Sequence, residues 1–215
     1  MGKETMSRGA LIVFEGCDRC GKTTQCAKLK EKLVDEGEDV ELVKFPDRTT
    51  PIGKLINSYL QMTEELDDRV AHLLFSSNRW EAMELMKKKL KAGTTLIVDR
   101  YAYSGIAYSS AKGMDLDWCK NPDVGLIQPD TVIYLSVSEE IASQRSHYGG
   151  ERYEKLEFQK KVHKNFLELQ EPYWEVVPGD ASVDDIHKQI HSIVRKTINQ
   201  SKSKPLLKLW TVGEF

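Results

Sequence analysis

Residues 16–23 read Gly16-Cys17-Asp18-Arg19-Cys20-Gly21-Lys22-Thr23, which satisfies G-x-x-x-x-G-K-[ST]. Before them stands Ala10-Leu11-Ile12-Val13-Phe14, a short run that is apolar at every position. After them a helical pattern covers residues 22–36, with Leu29 and Leu33 one turn apart and Gly37 as a stop. A strand apolar on both faces must be covered on both faces, which makes it a central strand of a parallel sheet. Glycines at either end of the loop let the backbone wrap an anion with its N–H groups pointing inward, at a helix N-terminus. A chance match in a chain of this length has a probability of roughly 1%, with glycine near 7% of average usage. In such a loop Lys22 reaches the β- and γ-phosphates of a nucleoside triphosphate such as ATP. The Thr23 hydroxyl holds Mg²⁺, and residues 16–24, including Cys17, Cys20 and Thr24, surround the phosphates.

The rest of the chain alternates in the same way. Residues 40–44 read as a strand. Pro51 opens a helix with Ile52, Leu55, Ile56 and Tyr59 on one side, and one long helical stretch covers residues 67–91 up to Gly93. Residues 94–98 form an apolar strand ending in Asp99, residues 131–137 a fourth strand, and residues 174–177 a weaker fifth. Ser182 begins an amphipathic helix, with Asp185 at the capping-box position and Ile186, Ile190, Ile193 and Ile198 as its stripe. Residues 201–215 lack periodicity and are expected to pack as a tail. The expected fold is α/β, three layers around a parallel five-stranded sheet. The expected organisation is an N-terminal extension over residues 1–8 and a single domain over residues 9–212. Arg145-Ser-His-Tyr-Gly-Gly-Glu-Arg-Tyr153, glycine-bearing and basic, reads as a short lid.

Composition narrows the function classes. Lysine plus arginine number 31 and aspartate plus glutamate 33, a formal charge of −2, so no global field grips nucleic acid. No apolar run reaches membrane-span length. The first ten residues lack the features of a signal or transit peptide, and Met6 occupies the position where N-myristoylation requires Ser or Thr. Cys17 and Cys20 form a C-x-x-C pair with no matching second pair, so reduced thiols and a cytoplasmic or nuclear location are expected. His187 and His191 are four apart, but Lys188 stands where H-E-x-x-H needs Glu, so they read as surface, as does Lys87-Lys88-Lys89. On composition alone Phe75 and Trp80 both read as core. Asp99, at the carboxyl end of a strand beside the phosphate loop, suits Mg²⁺ and its water, and Arg100 suits phosphate.

Three further segments follow the loop in order: Phe45-Pro46-Asp47-Arg48, His72-Leu73-Leu74-Phe75-Ser76-Ser77-Asn78-Arg79-Trp80-Glu81, and Asp99-Arg100-Tyr101-Ala102-Tyr103-Ser104-Gly105. Together they resemble the eukaryotic-type thymidylate kinases, P-loop nucleoside monophosphate kinases, over nearly the whole chain from Arg8 to Trp210. The resemblance implies ATP-dependent phosphorylation of dTMP to dTDP, with Mg²⁺, in a homodimer. It implies that Phe75 stacks on thymine, Arg79 donates to its O4, and Arg48 and Arg100 clamp the acceptor phosphate. It gives Asp18 the sugar 3′-hydroxyl, and it gives Tyr108 the 2′ space. Phe45 and Gly105 join the acceptor-lining set, and Tyr153 and Gln159 close over it from the lid side. Arg145 is implied at adenine. The catalytic set is Arg19, Lys22, Asp99 and Arg100, with Arg152 in the lid as a second candidate beside Arg19. Two alternatives stand against this. A regulatory GTPase shares the phosphate loop, but the chain has no N-K-x-D and no D-x-x-G outside that loop. A kinase of another acceptor is opposed by Arg48 and Arg100, which favour an acceptor already carrying phosphate.

Overall fold

A computed structural model describes residues 7–138, 152–153 and 155–215. Its centre is a parallel sheet of β1 (Leu11–Glu15), β2 (Val40–Lys44), β3 (Thr95–Asp99), β4 (Thr131–Ser136) and β5 (Trp174–Pro178), in the order β2-β3-β1-β4-β5. Every residue of β1 and β3 is buried. That is why these strands read as unbroken apolar runs, whereas the edge strands β2 and β5 alternate or thin out.

Side chains of the sheet sort by parity into two cores. Ile12 and Phe14 face a layer of α1 (Lys22–Asp35) and α8 (Val183–Ser201). Leu11 and Val13 face the core shared by α4 (Met83–Lys91), α5 (Ala102–Ser110), the short α6 (Leu116–Lys120) and α7 (Leu156–Glu168). Of the expected α8 stripe Ile186, Ile190 and Ile198 are buried, each worth about 1.5–3 kcal/mol of transfer free energy, while Ile193 is only partly buried and Val194 takes its place. Ser182 caps this helix, its hydroxyl accepting from the Asp185 N–H at 3.1 Å. Residues beyond α8 do pack: Leu206 and Leu209 are buried, and the Leu209 N–H donates to Leu126 O at 2.7 Å. Among the described residues no helix is long and apolar enough to cross a membrane.

Three expectations need correction. The stretch over residues 67–91 is two helices, α3 (Asp68–Trp80) and α4. At the junction the Ala82 N–H bonds to Arg79 O, three residues back, and the Glu81 carboxylate accepts from Asn78 and Thr50, both at 2.6 Å. The buried positions Arg79, Met83, Met86 and Leu90 keep helical phase across this tightened turn, so the pattern conceals it. Trp80 is not core: it is 40% exposed, and its indole N–H donates to Pro122 O at 2.7 Å. Leu55 in α2 (Pro51–Leu60) is exposed, because that helix buries the Ile56–Tyr59–Leu60 side instead.

The layout converges on the carboxyl ends of β1 and β3. Phe14 pairs with Asp99 in the β1–β3 register, so the loop leaving β1 and the turn leaving β3 lie side by side. Helices α2 and α3 pack together, and α3 also packs on α5.

Candidate active site

The phosphate loop is built by backbone that only certain residues tolerate. Gly16 has φ +145, and a Cβ there would lie 2.7 Å from Leu135 O and 2.8 Å from Cys20 Sγ. Gly21 and Arg19 also have positive φ, +99 and +63. Arg19 holds this conformation despite its Cβ, as does Arg100 at φ +71, and such departures concentrate at functional sites. Lys22 is buried beneath the loop, donating to Gly16 O at 3.0 Å and Cys17 O at 2.7 Å.

Thr23 opens toward Asp99, its hydroxyl donating to Oδ2 at 2.7 Å. These are two hard oxygen donors at a helix N-terminus. They fit Mg²⁺, which takes one or two protein oxygens and completes its shell with phosphate and water. No cluster of three or more His, Cys, Asp or Glu forms a metal cage among the described residues. His191 instead lies 2.9 Å from the Glu36 carboxylate. The four cysteines are free thiols, and burial pushes Cys17 up to about 12, which leaves it an inert thiol.

Arg100 ties the two halves of the site together. Its Nη1 donates to Gly16 O at 3.2 Å and to Ser104 Oγ at 3.1 Å, while Nη2 pairs with the Asp18 carboxylate. Burial opposes its charge, but Tyr108 and the carboxylates of Asp18, Asp99 and Glu15 outweigh that and hold the guanidinium well above its ordinary pKa. Gln159 grips the other side of Asp18. Its Oε1 accepts from the Asp18 N–H at 2.9 Å, and its Nε2 donates to Asp18 Oδ2 at 2.7 Å and to Tyr153 O at 3.0 Å. The Tyr108 ring lies 5.3 Å from the Arg100 guanidinium, and burial keeps its phenol protonated.

From this junction a cleft of about 550 Å³ runs between the loop and α3. Arg19, Gly21, Lys22, Thr23 and Thr24 from the loop and its helix and Asp99 from β3 line it, together with Phe45, Arg48, Phe75, Arg79, Gly105, Tyr108 and Tyr153. Phe75 is half-buried against this space rather than in the core. Arg48 is exposed at the rim and donates to Asn57 Oδ1 at 2.9 Å. Gly105 sits against the Arg79 guanidinium, where a Cβ would lie 2.8 Å from Nη2. Arg145, and the expected lid apart from Arg152 and Tyr153, lie outside the described residues. The Arg152 guanidinium lies 4.1 Å from the Tyr59 ring and pairs with Glu65 at 2.7 Å.

Several participants were not visible in sequence. Glu15 ends β1, is fully buried, and accepts from the N–H groups of Tyr101 at 2.9 Å and Ser104 at 3.0 Å. His72 spans Ser109 Oγ and Cys119 O, both at 2.8 Å. Burial holds it below its ordinary pKa, so it is neutral, with the proton on Nε2 facing the carbonyl. Asp123 is buried behind Arg79. Each signals only through its tertiary partner.

Comparison with known proteins agrees with this geometry. The thymidylate kinase family model matches residues 14–190. The chain is 51% identical over 205 residues to thymidylate kinase of Arabidopsis thaliana, covering 95% of this chain and 78% of that one. It is 46% identical over 207 residues to the Homo sapiens protein of the same name, covering 94% and 98%. The solved structure of thymidylate kinase from Candida albicans superposes with a TM-score of 0.86 at 38% identity, covering 94% of this chain and 99% of that one. A regulatory GTPase is thereby set aside: a phosphate loop sharing one cleft with Phe75 and Arg79, with matches over nearly the full length, places this chain in the thymidylate kinase family.

Proposed function

We propose that this chain transfers the γ-phosphoryl group of ATP to dTMP, giving dTDP and ADP for dTTP synthesis. One observation carries the reading: a single cleft is lined by Lys22, Thr23 and Asp99 together with Phe75, Arg79 and Arg100. Lys22, Arg19 and Arg100 set fixed positive charge around the transferring group, and preorganised charge of this kind is worth most where water is excluded. Thr23 and Asp99 would hold Mg²⁺, which when bound neutralises phosphate charge. Arg48 and Arg100 orient the acceptor phosphate through paired N–H donors. That phosphate is already anionic, so no general base is needed.

Phe75 supplies a stacking face and Arg79 a donor to the thymine O4. Tyr108 crowds the 2′ position, Asp18 takes the 3′-hydroxyl, and Gln159 holds Asp18 in place. The resemblance assigns Arg145 to adenine. A homodimer and a reducing compartment, cytoplasm or nucleus, complete the reading; the free thiols suit such a compartment.

The test is an acceptor panel of dTMP, dUMP, dCMP, UMP and thymidine with Mg-ATP. dTMP is expected to lead. The missing methyl of dUMP should cost about 10–200-fold, and dCMP, with an amino group facing the Arg79 donor, more. Thymidine turning over as fast as dTMP would remove the phosphate clamp from the reading.

A further inference from the structure

Arg79 and Asp123 form an ion pair that is almost completely buried, at 2% and 0% exposure. The contact is a side-on fork: Nε donates to Oδ1 at 3.0 Å and Nη2 to Oδ2 at 2.6 Å. Ser76, three residues before Arg79 on α3, donates to the same Oδ1 at 2.8 Å. Asp123 itself sits in the short turn Asn121–Asp123, which the Ser76 hydroxyl and the Trp80 indole also hold through Pro122 O, at 3.1 and 2.7 Å. Gly105, which also lines the cleft, closes on the guanidinium so nearly that a Cβ would lie 2.8 Å from Nη2 and 3.2 Å from Nη1.

Two parallel hydrogen bonds fix both the position and the plane of a guanidinium, which one bond or a point charge cannot do. The fork uses the Nε–Nη2 edge. The Nη1 edge is the one that the fork does not engage, and Arg79 lines the cleft. A long arginine without such an anchor could rotate away from an unsuitable base. An anchored one must leave a donor facing a donor, and that mismatch is what rejects the wrong substrate.

We infer that Asp123 is a positioning residue for base choice, setting the preference for a 4-oxo over a 4-amino pyrimidine by locking the plane of Arg79. The inference rests on the reading in which Arg79 faces the base. The experiment measures kcat and KM for dTMP and dCMP in the wild type, Asp123→Asn, Arg79→Met and the double variant. Asp123→Asn is expected to lower the dTMP-to-dCMP ratio of kcat/KM at least 10-fold. Arg79→Met should lower it as far or further, and Asp123→Asn should add nothing in the Arg79→Met background. A purely structural role would depress both acceptors alike and leave the ratio unchanged. If Arg79→Met abolishes the preference while Asp123→Asn keeps it within twofold, the inference is wrong and the base reading stands. If Arg79→Met keeps the preference, both fall. Should Asp123→Asn not fold, Arg79→Lys retains a charge beside Asp123 without the fork. It must then lose the preference, and its retention would overturn the anchor.

Discussion

Glu15 shows how a single buried carboxylate shapes the site without touching substrate space. It accepts from two backbone N–H groups of the turn after β3, and so holds the segment in which Arg100 takes its positive φ. Burial raises its pKa, and the hydrogen bonds from Ser104 and Tyr101 and the charge of Arg100 only partly offset that. A carboxyl whose folded pKa is raised contributes most stability below its unfolded pKa, near 4.5, and that contribution is lost as pH rises through the folded value. Where it is ionised, the buried Glu15 charge therefore weakens the fold while it orders Arg100. Glu15→Gln keeps an acceptor for the turn and removes the charge. Its Tm at pH 8 is expected to equal or exceed that of the wild type, with the advantage shrinking toward pH 5. Its kcat/KM should fall by about 10- to 100-fold, because the amide that replaces Oε2 no longer accepts from the Ser104 hydroxyl, which itself accepts from Arg100, and the carboxylate charge near Arg100 is gone. Thermal melts across pH with parallel kinetics check both; a variant less stable at pH 8 and fully active would reverse the assignment.

At the scale of elements, the end of α2 is where the lid side meets the cleft wall. The last carbonyls of a helix lack partners within it. Here Leu60 O accepts from the Arg152 N–H at 3.0 Å and Tyr59 O from Arg152 Nε at 2.9 Å, while the Tyr153 hydroxyl donates to that of Tyr59 at 3.1 Å. Glu65, held below the usual carboxylate range by its hydrogen bond from Arg152, is 77% exposed, so that ion pair adds little. Arg152→Ala is thus expected to raise the KM for dTMP several-fold by loosening Tyr153, with kcat within about threefold, and Glu65→Gln to change neither. A kcat loss of 100-fold or more at unchanged KM would return Arg152 to the chemistry. None of this clasp was legible in the sequence, because its parts lie some ninety positions apart. The phosphate loop, its flanking strand and the α8 stripe were legible, because their signals are local and periodic. Asp123 was not, since nothing in Asn121-Pro122-Asp123 marks a carboxylate that closes behind an arginine 44 positions earlier. The resemblance carried Phe75 and Gly105 to the cleft where composition alone placed Phe75 in the core.

For the molecule as a whole, α3 reverses the usual arrangement of a surface helix. Its buried residues are Ala71, His72, Ser76, Asn78 and Arg79, four of the five polar, and Ala71, His72 and Arg79 line the cleft. Its outer side carries Val70, Leu73 and Trp80, each at least 40% exposed. The spacings of three and seven residues put these three on one face. The cleft has claimed the side of α3 that would ordinarily be apolar, and the apolar residues are left facing out. A second copy of the chain, docking α3 against α3 about a twofold axis, would bury that face with the self-complementarity that such symmetry demands. Leu73 lies near the middle of the stripe and away from the polar partners of the inner face. Light scattering is expected to give twice 24.6 kDa for the wild type. Leu73→Arg should shift this toward a single chain at micromolar concentration, since an unpaired charge buried at the contact costs several kcal/mol. Its melting temperature should then depend less on protein concentration than that of the wild type, because association adds to stability only for the species that associates. A wild type that scatters as one chain at tens of micromolar would rule the dimer out, and a Leu73→Arg dimer of unchanged strength would move the interface off this helix.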